Sequence, residues 1–169
     1  SAQVYRELDI GSAKPDRETL ERAPHHLIDI RDPGDAYSAA DFLEDATRIM
    51  AEITSRGRIP LLVGGTMLYF KVLLEGLSQM PQCDTAIRQQ IQEQAAREGW
   101  PSVYKKLQAV DPETAAQLHP NHSQRIQRAL EVYLSSGIPI STYRREENSG
   151  GISDIYAIKQ LALLPVNRK

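Results

Sequence analysis

The spacing of apolar and polar positions predicts one amphipathic helix with particular clarity. Ser38 is suited to be its N-cap, and Asp41, three residues later, completes a capping-box pattern. Gly57 is placed to end the helix in a left-handed conformation. Between these signals the apolar residues recur at helical spacing, at Phe42, Ala46, Ile49, Met50 and Ile53.

Three short apolar segments predict strands, at 26–30, 59–63 and 155–164. The segment 59–63 is apolar at nearly every position, which is typical of a central strand buried on both faces of a parallel sheet. Together with the helix, the first two segments form a strand–helix–strand unit. The pattern therefore predicts an α/β fold with a parallel sheet.

Residues 84–118 differ in character from the rest of the chain. They are rich in Gln, Glu, Ala, Arg and Lys and contain no strand signal, which indicates a small helical insertion. A further amphipathic helix follows, before the last predicted strand returns the chain to the sheet. We expect three parts: an α/β core at 1–78, the helical insertion at 79–119, and a return to the core at 120–169.

Composition narrows the class of protein. The 169 residues are 41% apolar and 25% charged, as in soluble globular proteins, and the net charge of −2 argues against a surface that binds nucleic acid everywhere. Any nucleic-acid contact must use a local basic patch. Cys83 is the sole cysteine, which excludes an intrachain disulfide, and no apolar run approaches the roughly 20 residues of a membrane span. A cytoplasmic protein with no membrane partner is expected.

The segment Gly64-Gly65-Thr66 is a candidate ligand site, because it follows the predicted strand at its carboxyl end. Two glycines allow a ligand to approach the main chain, and a helix beginning at Thr66 would offer N–H groups to an anion. A plain strand-to-helix turn with Thr66 as N-cap explains the same residues. The turn is not a Walker A loop, and the chain contains no such loop.

A second candidate is the polar face of the amphipathic helix around residues 124–128. Arg125 and Arg128 are three residues apart and therefore neighbours on the helix surface, and Gln124 and Gln127 accompany them. Arginine and glutamine side chains suit phosphate contacts and hydrogen bonds to base edges. A solvated helix face would show the same pattern.

Seven short motifs occur along the chain in an order that is specific as a series. They are Ser1-Ala-Gln-Val-Tyr5, Asp9-Ile-Gly-Ser-Ala-Lys-Pro15, His25-His-Leu-Ile-Asp29, Tyr37-Ser-Ala-Ala-Asp-Phe42, Leu62-Val-Gly-Gly-Thr-Met-Leu-Tyr69, His119-Pro-Asn121 and Gln124-Arg-Ile-Gln-Arg-Ala-Leu-Glu-Val-Tyr133. Together they resemble the motifs of the tRNA dimethylallyltransferases, also called tRNA isopentenyltransferases. This resemblance favours the functional interpretation of both candidate segments.

The resemblance implies a P-loop NTPase-like parallel sheet core with an inserted helical domain that grips the anticodon stem-loop of tRNA. It implies transfer of a dimethylallyl group from dimethylallyl diphosphate to the exocyclic amine of the adenosine 3′ of the anticodon. Mg²⁺ is the expected cofactor, held with the diphosphate, and a monomer is expected.

The resemblance also implies roles for individual residues. Thr66 matches the catalytic threonine that lies near both the diphosphate and the tRNA, and Lys14 lies in a motif near the substrate channel. The general-base Asp and the phosphate-binding loop are expected before Ser1, so the 169 residues are interpreted as a central fragment that is inactive alone. The positions that match tRNA contacts are Ser1, Ala2, Gln3, Thr66, Arg88, Gln124, Arg125, Ile126, Gln127 and Arg128.

Three alternatives remain open from the sequence. An adenylate isopentenyltransferase would share the core, but the helical insertion and the basic helix argue against it. A P-loop nucleotide kinase or related phosphotransferase would differ in its phosphate loop and lid. A non-enzymatic RNA-binding protein would bind the anticodon arm without binding the diphosphate.

Overall fold

The computed structural model describes residues 2–78, 80–82, 84–145 and 149–163, and the chain divides into two compact units. Unit 1 comprises Ser1–Gly76 and Gly150–Lys169, and unit 2 comprises Leu77–Ser149. The helices of unit 1 are α1 (Arg17–Arg22), α2 (Ala39–Ser55) and α3 (Met67–Glu75), after a short 3-10 helix at Ala2–Val4. Those of unit 2 are α4 (Thr85–Glu98), α5 (Trp100–Val110), α6 (Pro112–Ala116), α7 (Ser123–Ser136) and α8 (Ile140–Arg145). Two short strands, β1 (Gly76–Leu77) and β2 (Ser149–Gly150), pair with each other.

Helix α2 confirms the helix predicted after Ser38. The capping box is complete: Ser38 Oγ accepts from Asp41 N at 3.1 Å, and Asp41 Oδ2 accepts from Ser38 N at 2.7 Å. The helix ends at Ser55, two residues before Gly57, whose φ is 68°. Its apolar face buries Met50 in the cluster that includes Leu73 of α3.

The predicted parallel sheet is not confirmed in the part of the chain that the structure describes. Segment 59–63 has no regular secondary structure, and Ile59 and Val63 are 92% and 85% exposed rather than buried. Residues 26–30 contain bends instead of a strand, and 155–163 contain a turn and then irregular chain. A strand forms only where a neighbouring strand takes up its backbone hydrogen bonds. The apolar pattern marked these segments as strand candidates but could not supply their partners.

Residues 150–156 pack against α3 within unit 1. Ile152 is buried and donates its N–H to the Leu73 carbonyl at 2.9 Å, and Ser153 Oγ donates to the Leu74 carbonyl at 2.7 Å. A Cβ atom at Gly151 would lie 2.7 Å from the carbonyl carbon of Glu75, so only glycine allows this close approach. Residue 164, the end of the predicted last strand, lies outside the described residues.

Unit 2 is larger than the predicted insertion at 79–119. Helix α7 places Ile126 and Leu130 in one apolar core with Ile91 of α4 and with Val103 and Leu107 of α5. The apolar stripe of α7 therefore packs on the helices before it, and unit 2 extends over Leu77–Ser149.

The Asp111 carboxylate binds backbone N–H groups in the first turns of two helices of unit 2, α6 and α8. Its side chain is 2% exposed, and its two carboxylate oxygens accept from Thr114 N and from Ser141 N, each at 3.0 Å. Burial raises the pKa of the Asp111 carboxyl, but the hydrogen bonds from Thr114 and Ser141 outweigh it and hold the pKa below its ordinary value. One carboxylate thus caps α6 and also binds the first turn of α8.

Candidate functional site

The glycine turn lies in unit 1, immediately before α3. Gly64 and Gly65 are exposed, and neither has a positive φ. Among the described residues, a Cβ at Gly65 would have no neighbour within 4 Å, and one at Gly64 would meet only Phe70 Cε2 at 3.9 Å. Neither backbone angle nor local packing requires glycine here. What the two glycines provide is main chain that a ligand can approach.

Thr66 is the N-cap residue of α3 and is partly exposed. Its carbonyl accepts from Tyr69 N at 2.9 Å, which forms the first turn of the helix. Its side chain makes no capping hydrogen bond. Thr66 thus occupies the N-cap position that the plain-turn interpretation predicts, and the same position beside the N–H groups of a helix start is suited to an anion.

Tyr69, one turn after Thr66, belongs to an aromatic cluster. Its ring stacks on Phe42 with centroids 4.3 Å apart and meets the edge of Tyr37 at 6.4 Å. The Tyr37 hydroxyl donates to Asp45 Oδ2 at 3.1 Å. Burial raises the pKa of both tyrosines, reinforced at Tyr37 by the Asp45 charge, so both stay neutral near pH 7. The cluster fixes α3 against α2, and its pairing across two helices could not be read from the sequence.

Lys14 is held by three oxygen atoms of its own unit. Its Nζ donates to Asp9 Oδ1 at 2.6 Å, Asp29 Oδ1 at 2.7 Å and the Tyr5 carbonyl at 3.0 Å, and the side chain is only 7% exposed. The hydrogen bonds to Asp29 and then Asp9 raise the pKa of Lys14. Asp29 has a φ of 55°, an uncommon conformation for a residue with a side chain. Lys14 therefore links Asp9, Asp29 and Tyr5, and each of its three ammonium hydrogens has an acceptor.

The three N-terminal residues matched to nucleotide contacts belong by sequence to unit 1. Ser1 lies outside the described residues, and Ala2 is exposed in the short 3-10 helix. Gln3 Nε2 donates to the carbonyls of Ser12 and Ala13, at 3.2 and 2.6 Å. The amide of Gln3 thus holds the loop that contains Lys14, and a contact of these residues with a nucleotide stays a prediction.

The basic face predicted on α7 exists in unit 2. Gln124 and Arg125 are exposed, and Gln127 and Arg128 are partly exposed. Among the described residues, Arg125 has no side-chain hydrogen bond or ion pair. Ile126 differs from its neighbours because it is 0% exposed in the core, so its side chain supports the helix and is not available to tRNA.

Arg88 of α4 is connected to this face of α7 by Glu131, a residue of α7 that binds both. The side chain of Glu131 is 1% exposed, and its Oε1 accepts from Arg88 Nε and Gln127 Nε2, both at 2.8 Å. Arg128 NH1 lies 3.8 Å from Oε2, and Arg128 NH2 donates to the Pro81 carbonyl at 3.1 Å. The structure therefore brings together Arg88 and the 124–128 stretch, which are far apart in the sequence and which the resemblance matches to tRNA contacts.

Glu131 is a site residue that the motifs did not single out. The available signal was its spacing, because it lies four residues after Gln127 and three after Arg128 on the same helix. Its burial depends on the packing of α4 on α7, which periodicity does not give. We define the basic face as these five residues of unit 2: Arg88, Gln124, Arg125, Gln127 and Arg128.

Within the described ranges, no group of three or more His, Cys, Asp or Glu side chains is arranged to hold a metal ion. In the same ranges, no helix is both long enough and apolar enough to cross a bilayer.

Comparisons with known proteins agree with the motifs. The sequence model described as IPP transferase matches residues 3–169. The tRNA dimethylallyltransferase of Methylobacillus flagellatus is 52% identical over 168 residues, which are 99% of this chain and 53% of that relative. A solved eukaryotic dimethylallyltransferase acting on tRNA is similar with a TM-score of 0.70 and 29% identity, over 87% of this chain and 37% of that one. The chain thus spans about half the length of the curated relative it matches.

Proposed function

The chain belongs to the IPP transferase family, and from that premise we propose that it serves dimethylallyl transfer to tRNA. The group moves from dimethylallyl diphosphate to the exocyclic amine of the adenosine 3′ of the anticodon. The observation that carries this proposal is the basic face, where residues matched to tRNA contacts come together from α4 and α7.

The basic face suits an RNA backbone. Arg125 is exposed and uncommitted among the described residues, so it can pair with a phosphate without breaking an internal contact. Arg88 and Arg128 keep about half and a third of their side chains exposed while bound to Glu131. Gln124 adds an amide that can donate to and accept from base edges. With a net charge of −2 over the whole chain, such a local patch is the expected way to bind tRNA.

The glycine turn suits the diphosphate. In prenyl transfer the C–O bond breaks and negative charge develops on the leaving diphosphate, so donors placed there stabilise the transition state. Gly64 and Gly65 leave the main chain approachable, and α3 directs its N-terminal N–H groups and dipole toward an anion. We place the Thr66 hydroxyl among these donors. The target adenosine must leave its stack to reach the prenyl carbon.

Several finer points belong to the proposal. We assign 59–63 to a strand position in a P-loop-type parallel sheet, supported by its apolar pattern and by the exposure of Ile59, Leu61 and Val63, which a neighbouring strand or helix would cover. Mg²⁺, a monomeric state and a cytoplasmic location are expected from the resemblance. Mg²⁺ would supply charge neutralisation on the diphosphate, and no described residue is given a role as its ligand.

The rival acceptor is a free nucleotide such as AMP. A free nucleotide has no anticodon stem, so it gives no reason for a basic face on a separate helical unit. We therefore favour tRNA as the acceptor, and a transfer assay that offers tRNA and AMP separately distinguishes the two acceptors.

Replacing Arg125 with alanine is expected to weaken the binding of an anticodon stem-loop RNA about fivefold. The slope of log K against log salt should become shallower by about 0.7–0.9, because one phosphate contact is lost. Fluorescence anisotropy of a labelled stem-loop at several salt concentrations measures both quantities.

The matched control is Arg97→Ala, an exposed arginine at the far end of α4. It removes the same charge, but about nine residues of helix, roughly 13 Å, separate it from Arg88. If Arg125→Ala and Arg97→Ala change affinity and slope equally, the basic face has no special role in binding.

A further inference from the structure

Glu131 is an acidic residue at the centre of a surface that is proposed to bind a polyanion. Its charge opposes RNA binding, and its side chain is 1% exposed, so it cannot reach the RNA itself. Helix stability alone does not require a carboxylate among apolar neighbours such as Ile126, Leu130 and Val132. Its purpose must therefore lie in the groups that it binds.

The contacts of Glu131 orient donors from two helices. Oε1 accepts from Arg88 Nε of α4 and from Gln127 Nε2 of α7, both at 2.8 Å. Oε2 lies 3.5 Å from Arg88 NH2 and 3.8 Å from Arg128 NH1. A guanidinium is planar, so a bond through Nε together with one NH2 fixes the plane of the whole group.

We propose that Glu131 is a positioning residue for RNA recognition: its buried carboxylate sets the orientation of Arg88, and with it Gln127 and Arg128, for the anticodon arm. This inference rests on the proposed function. The Arg88 side chain is 48% exposed while it is bound to Glu131, so the oriented guanidinium is accessible from solvent. Arg125, which Glu131 does not contact, contributes charge alone.

The proposed role of Glu131 concerns the orientation of the donor side chains and not their positive charge. Two kinds of RNA ligand distinguish these two contributions to binding. A structured anticodon stem-loop presents phosphates and bases at fixed positions, so it depends on oriented donors. Single-stranded poly(U) adapts to any arrangement of positive charges and reports on charge alone. A variant that loses orientation but keeps charge should therefore weaken only the first.

Two variants of the chain test the proposal. Glu131→Gln keeps the shape of the side chain but removes the carboxylate, and Arg88→Lys keeps the positive charge but removes the planar donor group. Each is expected to bind the anticodon stem-loop about tenfold more weakly, the loss expected for one oriented charge-assisted hydrogen bond. Binding of poly(U) should change by less than about twofold in both, or tighten for Glu131→Gln, which raises the net charge by one.

The double variant Glu131→Gln/Arg88→Lys should bind the stem-loop no more weakly than either single variant, because both act on one interaction. Glu93→Gln is the matched control: it makes the same charge change at an exposed position of α4 and should leave stem-loop binding unchanged. Circular dichroism of each variant monitors its helices, and Arg88→Lys, which alters a half-exposed side chain, keeps the test valid should Glu131→Gln fail to fold.

Stem-loop affinity of Arg88→Lys equal to that of the original chain would overturn the inference, as would parallel losses for the stem-loop and poly(U). Additive losses in the double variant would overturn it too. If the unaltered chain bound no stem-loop, the proposed function would fail first and the inference with it. Binding by the unaltered chain with no effect of either variant would remove the inference alone.

Discussion

Replacing Thr66 with valine is expected to lower the rate of dimethylallyl transfer about 100-fold and to leave tRNA affinity within about twofold. Valine keeps the shape of threonine and removes the hydroxyl. Losing one donor aimed at charge that develops in the transition state costs about 10²–10³ in rate. In the proposed function tRNA is bound by the basic face, and Thr66 is not one of the five residues that define that face.

The measurement uses a chimera in which this chain replaces the matching residues of the Methylobacillus flagellatus relative, with which it is 52% identical. Single-turnover rates with saturating diphosphate isolate the chemical step, and anisotropy gives tRNA affinity. Thr85→Val is the matched control, because Thr85 also begins a helix but is exposed in unit 2. A Thr66→Val rate equal to that of Thr85→Val would remove Thr66 from the mechanism.

Replacing Asp111 with alanine is expected to destabilise unit 2 by about 3 kcal/mol at pH 7. The change leaves the N–H groups of Thr114 and Ser141 without their acceptor, and each lost hydrogen bond of this kind costs about 1–2 kcal/mol. Urea unfolding followed by circular dichroism measures the change. The control Asp84→Ala removes an exposed N-cap at α4 and should cost only about 1 kcal/mol.

The effect of Asp111 should also depend on pH. Its pKa in the folded chain is below the ordinary value, so the charged form stabilises the fold at pH values above about 3.9, the pKa of an unperturbed Asp. That contribution is lost as the pH falls through the folded pKa. The difference in unfolding free energy between the original chain and Asp111→Asn should therefore shrink between pH 7 and pH 3. A constant difference would mean that the carboxylate charge contributes nothing.

Local signals predicted the helices well and the sheet poorly. Ser38, Asp41 and Gly57 fixed the ends of α2 because capping is chemistry between residues only a few positions apart. The segment 59–63 shows the opposite case. Its apolar residues predicted a strand, but a strand depends on backbone partners elsewhere, and the described residues place none beside it.

The parts of the site that the sequence did not predict depend on packing between helices. The spacing of Arg125 and Arg128 predicted a basic face on α7, and that face is present. Helical spacing also placed Ile126 in the apolar stripe of α7, but the helices that bury it, α4 and α5, follow only from packing. Arg88 contacts Glu131, 43 residues later, and no local pattern encodes this contact.

The central claim is that this chain directs dimethylallyl transfer to tRNA, and acceptor choice tests it most directly. The chimera with the Methylobacillus flagellatus relative is incubated with labelled dimethylallyl diphosphate and either tRNA or AMP, and the label on each acceptor is counted. We predict label on the adenosine 3′ of the anticodon and none on AMP. A folded chimera that labels AMP and not tRNA, or that binds tRNA and labels neither, would contradict the claim.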